Sequence, residues 1–271
     1  MQFIKTSLAT ALLALAAAAS QAAQLQLVSG AAFGSSSTTL AMADGDTALF
    51  SGGVDNLSGL AEVLAFGSDV HAATLPTSGL LFSSEWARLA TLDASGAVTR
   101  FSASGSSAIG FDGTAELADL SEAASVGLTA DLRVAGDGEA DGTPVTVRLQ
   151  LSAQSLFDGS LAGADDSPTV NLLVQDAAFN TLASWNGLAL NGSDSVDLRF
   201  SAQVGQTLSF ALQLDNTLGL GNAALGGMQT IASSTLVEGT LSVTAVPEPQ
   251  TLALLLAGLG VVAGAVRRRA A

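Results

Sequence analysis

Three carboxylates recur at alternate positions in Asp137-Gly138-Glu139-Ala140-Asp141-Gly142. Hard cations such as Ca²⁺ take about six to eight oxygen ligands, and this spacing is how an EF-hand loop opens. The pattern then departs from that loop. Its third position is Glu rather than Asp or Asn, and its twelfth, where a bidentate Glu belongs, is Arg148. A charged, glycine-rich hairpin tip is the plainer reading. Asp137, Glu139 and Asp141 therefore stand as weak metal candidates, with Ca²⁺ the one cofactor the chain suggests. Asp165-Asp166, Asp44-Gly45-Asp46 and the Asp194/Asp197 pair solvate loops and edges, or else pair at long range around a cation.

The inventory for catalysis is thin. His71 is the only imidazole, and neither a Gly-x-Ser-x-Gly elbow nor a His-Glu-x-x-His run is present. A glycosidase needs two placed carboxylates, and nothing singles out a pair. No catalytic residue is assigned and a non-enzyme is expected. A surface hydrolase working through His71 or a carboxylate pair is the lesser alternative. Trp86, Trp185, Phe111, Phe157 and Phe179 are candidates for stacking on sugars. With no Tyr in the chain, packing in the core is the favoured role for them.

The elements that must carry these residues read as strands. Val126, Leu128, Ala130, Leu132 and Val134 alternate with polar or small residues, as do Val145, Val147, Leu149 and Leu151. Each set puts one face toward a core and the other in water, the mark of an antiparallel sheet packed on one side. Residues 136–144 are expected to join these two runs as a hairpin loop. Val196–Phe200 and Leu208–Leu214 alternate likewise, linked through Val204-Gly205-Gln206. Val170–Gln175 and Gly239–Ala245 complete the clear strands, and Gln24–Ser29 opens the domain. Thr47–Ser51, Leu60–Phe66 and the Trp86-bearing run Leu80–Leu92 are weaker candidates. Ala118–Ala124 reads as a single helical turn capped by Asp119 or Ser121. One-faced sheets must cover each other, so the expected fold is all-β, an antiparallel two-sheet β-sandwich of jelly-roll-like order.

Composition bounds the partners. Between Ala23 and Val246 the cations are Arg88, Arg100, Arg133, Arg148 and Arg199 alone, five against 23 carboxylates, a net charge of −18. Such a surface repels phosphate backbones, which excludes nucleic acid. Cysteine is absent, so no disulfide or thiolate site forms. At the N-terminus Lys5, the apolar run Leu8–Ala19 and Ser20-Gln21-Ala22 read as a secretory signal peptide. Cleavage is placed after Ala22, with Ala23 as the neighbouring option, and a Sec-type export machinery follows as a partner.

The C-terminus has three parts in order: Val246-Pro247-Glu248-Pro249, the uncharged run Thr251–Val266, and Arg267-Arg268-Arg269. The prolines hold the first part extended and accessible. As a helix, the apolar run would reach roughly 24 Å at 1.5 Å per residue, a little short of the ~30 Å hydrocarbon core. The arginines favour the cytoplasmic side. This arrangement resembles the PEP-CTERM sorting signal of Gram-negative bacteria, over about 25 residues. The resemblance implies recognition by a membrane protease-transpeptidase of the exosortase type and removal of the tail. It also implies a host that makes exopolysaccharide and biofilm or floc. A simple anchor helix with a stiff proline spacer is the plain alternative.

The expected organisation is a signal peptide over 1–22, a β-sandwich over 23–245 with an ill-defined first third, and a sorting signal over 246–271. The expected protein is an exported, acidic surface or extracellular-matrix protein. It passes through the inner membrane by a transient anchor and is structural or adhesive in exopolysaccharide, biofilm or floc. A carbohydrate- or Ca²⁺-binding module is the alternative.

Overall fold

The computed structural model describes residues 23–188 and 191–245, together with Gly258. The signal peptide, Ala22, the motif Val246–Pro249, the apolar run and Arg267–Arg269 lie outside the described residues, Gly258 of that run apart. Among the described residues, no helix is long and apolar enough to cross a membrane.

The all-β expectation holds. Twelve strands follow in order: β1 Gln24–Met42, β2 Thr47–Gly53, β3 Asp55–Ser58, β4 Glu62–Thr74, β5 Leu81–Asp93, β6 Val98–Ala135, β7 Pro144–Gly159, β8 Asp165–Asp166, β9 Thr169–Asp176, β10 Thr181–Gly187, β11 Ser193–Gln203 and β12 Thr207–Ala245. Every pairing is antiparallel. Where two separate sheets were expected, the strands form one hydrogen-bonded sheet. The reason is the length of β6 and β12, which pair from Thr207↔Arg133 to Ser242↔Val98. A straight strand of that length would run well over 100 Å, at about 3.3 Å per residue. The ladder instead folds back, so that its two ends face each other.

This fold-back makes two layers from one sheet. In the first, β1 and β9 flank residues 117–135 of β6 and 207–223 of β12, with β2 and β10 outside them. In the second, β5 and β7 flank the other ends of the same two strands, followed by β4 and β3 on one side and β11 on the other. The inward side changes along the way. On β6 the buried residues are odd-numbered up to Leu117 and, Gly127 apart, even-numbered from Leu120, and on β12 they switch between Leu220 and Leu225. The main apolar core lies between the layers, with Leu128, Leu132 and Leu212 from one side and Val147, Leu149 and Leu241 from the other. A second core fills the bend, built on Phe82, Phe111, Leu120, Leu220 and Ile231.

Two local readings are corrected. Residues 136–143 are not a hairpin: β6 pairs with β1, β5 and β12, while β7 pairs with β11 and β12. The loop crosses from the first layer to the second beside the return crossover at Val204–Gln206, which runs the opposite way. The Gly142 and Val204 amides donate to Val204 and Thr143 carbonyls, and that of Gly205 to Val134, which ties the two crossovers together. Ala118–Ala124 is not a helical turn but continuous β6, because its backbone groups are taken by β1 and β12.

Candidate functional site

Both ends of the described domain emerge beside these crossovers. Gln24 pairs with Ala135, where β6 enters the 136–143 loop, and Ala245 pairs with Val145, just after that loop. Ala23, one of the two residues placed at signal cleavage, is fully buried against the main core. The 136–143 loop carries the three candidate metal ligands. Glu139 Oε2 accepts a hydrogen bond from the Asp137 amide at 2.6 Å, and Asp141 Oδ2 lies 3.9 Å from Arg133 Nη2. Among the described residues, no group of three or more His, Cys, Asp or Glu is arranged to hold a metal ion.

The aromatic and histidine candidates go mostly inward. Trp86 and Phe111 are buried. Trp185 packs on the edge of the main core and Phe157 on that of the second, while Phe179 is exposed at φ 62°. His71 stacks on Phe50 with centroids 4.8 Å apart, at the end of a row through Phe82 to Phe111. Its Nε2 stands 3.3 Å from Asp69 Oδ2.

The outer face of the second layer forms a groove of about 930 Å³ across five strands. Register builds it from two polar rows. Asp93, Arg100, Thr240, Gln150 and Asp197 stand side by side on β5, β6, β12, β7 and β11, and so do Thr91, Ser102, Glu238, Ser152 and Ser195. At about 4.8 Å between strands, each row spans roughly 19 Å. In the second row only Glu238 is long, and the small side chains on either side of it leave the groove open. Thr91 and Ser102 hydroxyls bond at 2.8 Å. Arg148, on the same face, forks onto Asp197, with Nε 2.9 Å from Oδ1, and this pairing holds the Asp197 carboxyl below its usual range. Asp93 is held low by Ser95 and, to a smaller degree, by Arg100 directly across from it. Glu238, in the middle strand of its row, is exposed, and no side-chain hydrogen bond or ion pair reaches its carboxylate from the described residues.

The inside of the domain holds a polar belt that sequence reasoning missed. Between the two apolar cores lie Ser36 and Thr38 on β1, Ser84 and Arg88 on β5, Ser107 and Glu122 on β6, Asp166 on β8, and Asn216, Ser233 and Thr235 on β12, all buried. Arg88 Nη2 stands 3.6 Å from Glu122 and 2.8 Å from Ser107 Oγ, and its Nη1 also donates to the Ser106 carbonyl. Asp166 accepts from Ser233, and Asn216 donates to Thr235 at 3.0 Å. Burial pushes the Glu122 and Asp166 carboxyls up, and Arg88 draws them back only in part. The signal was present in the sequence: Arg88 and Glu122 occupy the apolar phase of alternating strands, in step with Trp86 and Ala90 and with Leu120 and Ala124.

The PEP-CTERM protein-sorting motif matches residues 245–269, from the last residue of β12 through the three arginines. That motif marks exported proteins which an exosortase processes at the membrane. Comparison with curated proteins finds no match. Among solved structures, one described as "CBM4 structure and function" is 17% identical, over 46% of this chain and 84% of that one, with a TM-score of 0.24. The N-terminal cellulose-binding domain of Cellulomonas fimi β-1,4-glucanase C is 18% identical, over 48% and 80%, at 0.23. The Gt strain structure of infectious bursal disease virus is 10% identical, over 84% and 79%, at 0.17.

Proposed function

We propose that this chain is a non-catalytic, acidic β protein of the cell surface or extracellular matrix, with a structural or adhesive role in exopolysaccharide, biofilm or floc. The carrying observation is the sorting motif, which begins at the last residue of the last strand. The signal peptide threads the chain outward through a Sec-type machinery. The apolar run then parks it in the inner membrane with Arg267–Arg269 inside, and the exosortase acts near Pro247–Pro249. A charge of −18 keeps the released domain soluble and monomeric at the surface. Fractionation of the native host tests this. The wild-type protein is expected in surface and medium fractions, and a Pro247→Ala, Glu248→Ala, Pro249→Ala variant in the inner membrane. Identical distribution of the two would refute it.

A second reading, favoured by the five-strand groove, is a carbohydrate-binding face. Rows of hydroxyl, amide and carboxylate groups set side by side across strands suit a polyhydroxylated chain lying across them. The two readings are compatible, since a matrix protein would hold matrix polymer.

A further inference from the structure

Resting on the second of these readings, we infer that the groove takes an amine-bearing sugar polymer, a chain of amino sugars with free ammonium groups, and that Glu238 is the residue that selects it. Charge pairing within the groove leads to this. Asp197 is occupied by Arg148 through a forked contact, and Asp93 stands across from Arg100. Arg148 neutralises Asp197, Arg199 adds a further positive charge near it, and Arg100 draws the Asp93 carboxyl down from across the strand pair. Glu238 remains on the central strand, with Ser102 and Ser152 as its registered neighbours on β6 and β7. A carboxylate that is exposed, unneutralised and flanked by hydroxyls offers an ammonium a charge-assisted hydrogen bond and offers the adjoining sugar hydroxyls their partners. The same carboxylate also lines a second hollow of about 450 Å³, which adds Asp194 and continues the groove along β7 and β11. The excess charge of the face is therefore negative along the path a polymer would take.

The groove lacks the platform a neutral glucan would use. Phe101 is the one aromatic residue at its floor, and it is 3% exposed, lying beneath Gly239 and turned toward the other layer. Stacking on a sugar ring needs an open aromatic face. Recognition here therefore falls to hydrogen bonds and charge.

Full-length protein in detergent is titrated by calorimetry with three probes in mildly acid buffer: hexaglucosamine, its fully N-acetylated counterpart and cellohexaose. Hexaglucosamine is expected to bind best. Glu238→Gln is expected to weaken it about three- to tenfold, the range for one exposed charge-assisted contact. Glu116→Gln removes the same charge from the exposed bend of β6 and is expected to leave binding unchanged. Equal weakening by both variants would show unspecific attraction to an acidic protein and overturn the inference. Equal affinity for all three probes would overturn the amine selection while leaving a carbohydrate-binding face. Binding of none would remove that face as well.

Discussion

Phe101 on β6 lies directly opposite Gly239 on β12, and a Cβ at Gly239 would stand 2.2 Å from its ring. The missing side chain lets the ring cross its own partner strand and meet Phe210, 4.9 Å away between centroids. Phe210 belongs to the other end of the same ladder, where it pairs with Ala130. This aromatic contact joins the two ends of the folded-back ribbon within the main core, and it needs glycine at 239. Gly239→Ala is expected to destabilise the domain by about 1–3 kcal/mol through overpacking. Adding Phe101→Leu should recover part of that loss. Chemical denaturation of the three proteins reads it, and a Gly239→Ala protein as stable as wild type would contradict the packing.

The belt between the cores gives a second prediction. Removing the guanidinium leaves two buried carboxylates without their cation, so Arg88→Met is expected to cost roughly 3–5 kcal/mol. Arg88→Met with Glu122→Leu should return to within about 1 kcal/mol of wild type, because apolar groups of similar size replace a buried pair at little cost. A double variant no better than the single one would mean that Arg88 acts through its hydroxyl and carbonyl contacts rather than through Glu122.

Stability should also depend on pH with a stated sign. Glu122 and Asp166 have folded values raised by burial, so the native state holds their protons more tightly than the unfolded chain does. Their contribution is full below the unfolded carboxylate value of about 4 and is lost as pH rises through the folded values. Arg88 faces both and keeps its charge throughout, although burial pushes it down. Asp176 and Asp197, held low by Asn180 and Arg148, act oppositely: what they add is present above the unfolded value and lost below it. Unfolding free energy is thus expected to peak in mild acid and decline toward neutrality, and Glu122→Gln should flatten the decline. A decline of equal slope in that variant would contradict the assignment.

Calcium should not matter to the 136–143 crossover. Glu139 is engaged by the amide of Asp137, and Asp141 lies toward Arg133. Adding or chelating calcium is expected to leave the melting temperature unchanged. A rise on addition, abolished by Asp137→Asn with Glu139→Gln and Asp141→Asn, would instead establish a cation site there.

How much of this could be read in advance depended on how local each signal was. The alternation of Val126–Val134 and Leu208–Leu214 declares strands and their buried faces, since period two needs no partner to be seen. Pairing is not local. Val126–Val134 and Val145–Leu151 both present one apolar face around an Asp-Gly loop, and nothing nearby says that the loop crosses between layers. The bend of β6 looks like a helical turn from sequence because Ala118–Ala124 is rich in Ala and carries weak alternation. Arg88 and Glu122 were readable in principle, as charges standing in the apolar phase. The groove was not, because Ser102, Glu238 and Ser152 look like any solvated positions until the register of three strands sets them in a row. The tail was plain, since its meaning lies in linear order rather than in folding.

The sorting account is tested most directly by the intact mass of the protein isolated from the surface and medium of its native host. The account predicts a species lacking residues 1–22 and lacking everything beyond the Pro247–Pro249 region, with any added mass marking what the exosortase attached. A native protein still carrying Arg267–Arg269 would contradict it and leave a membrane-anchored β domain.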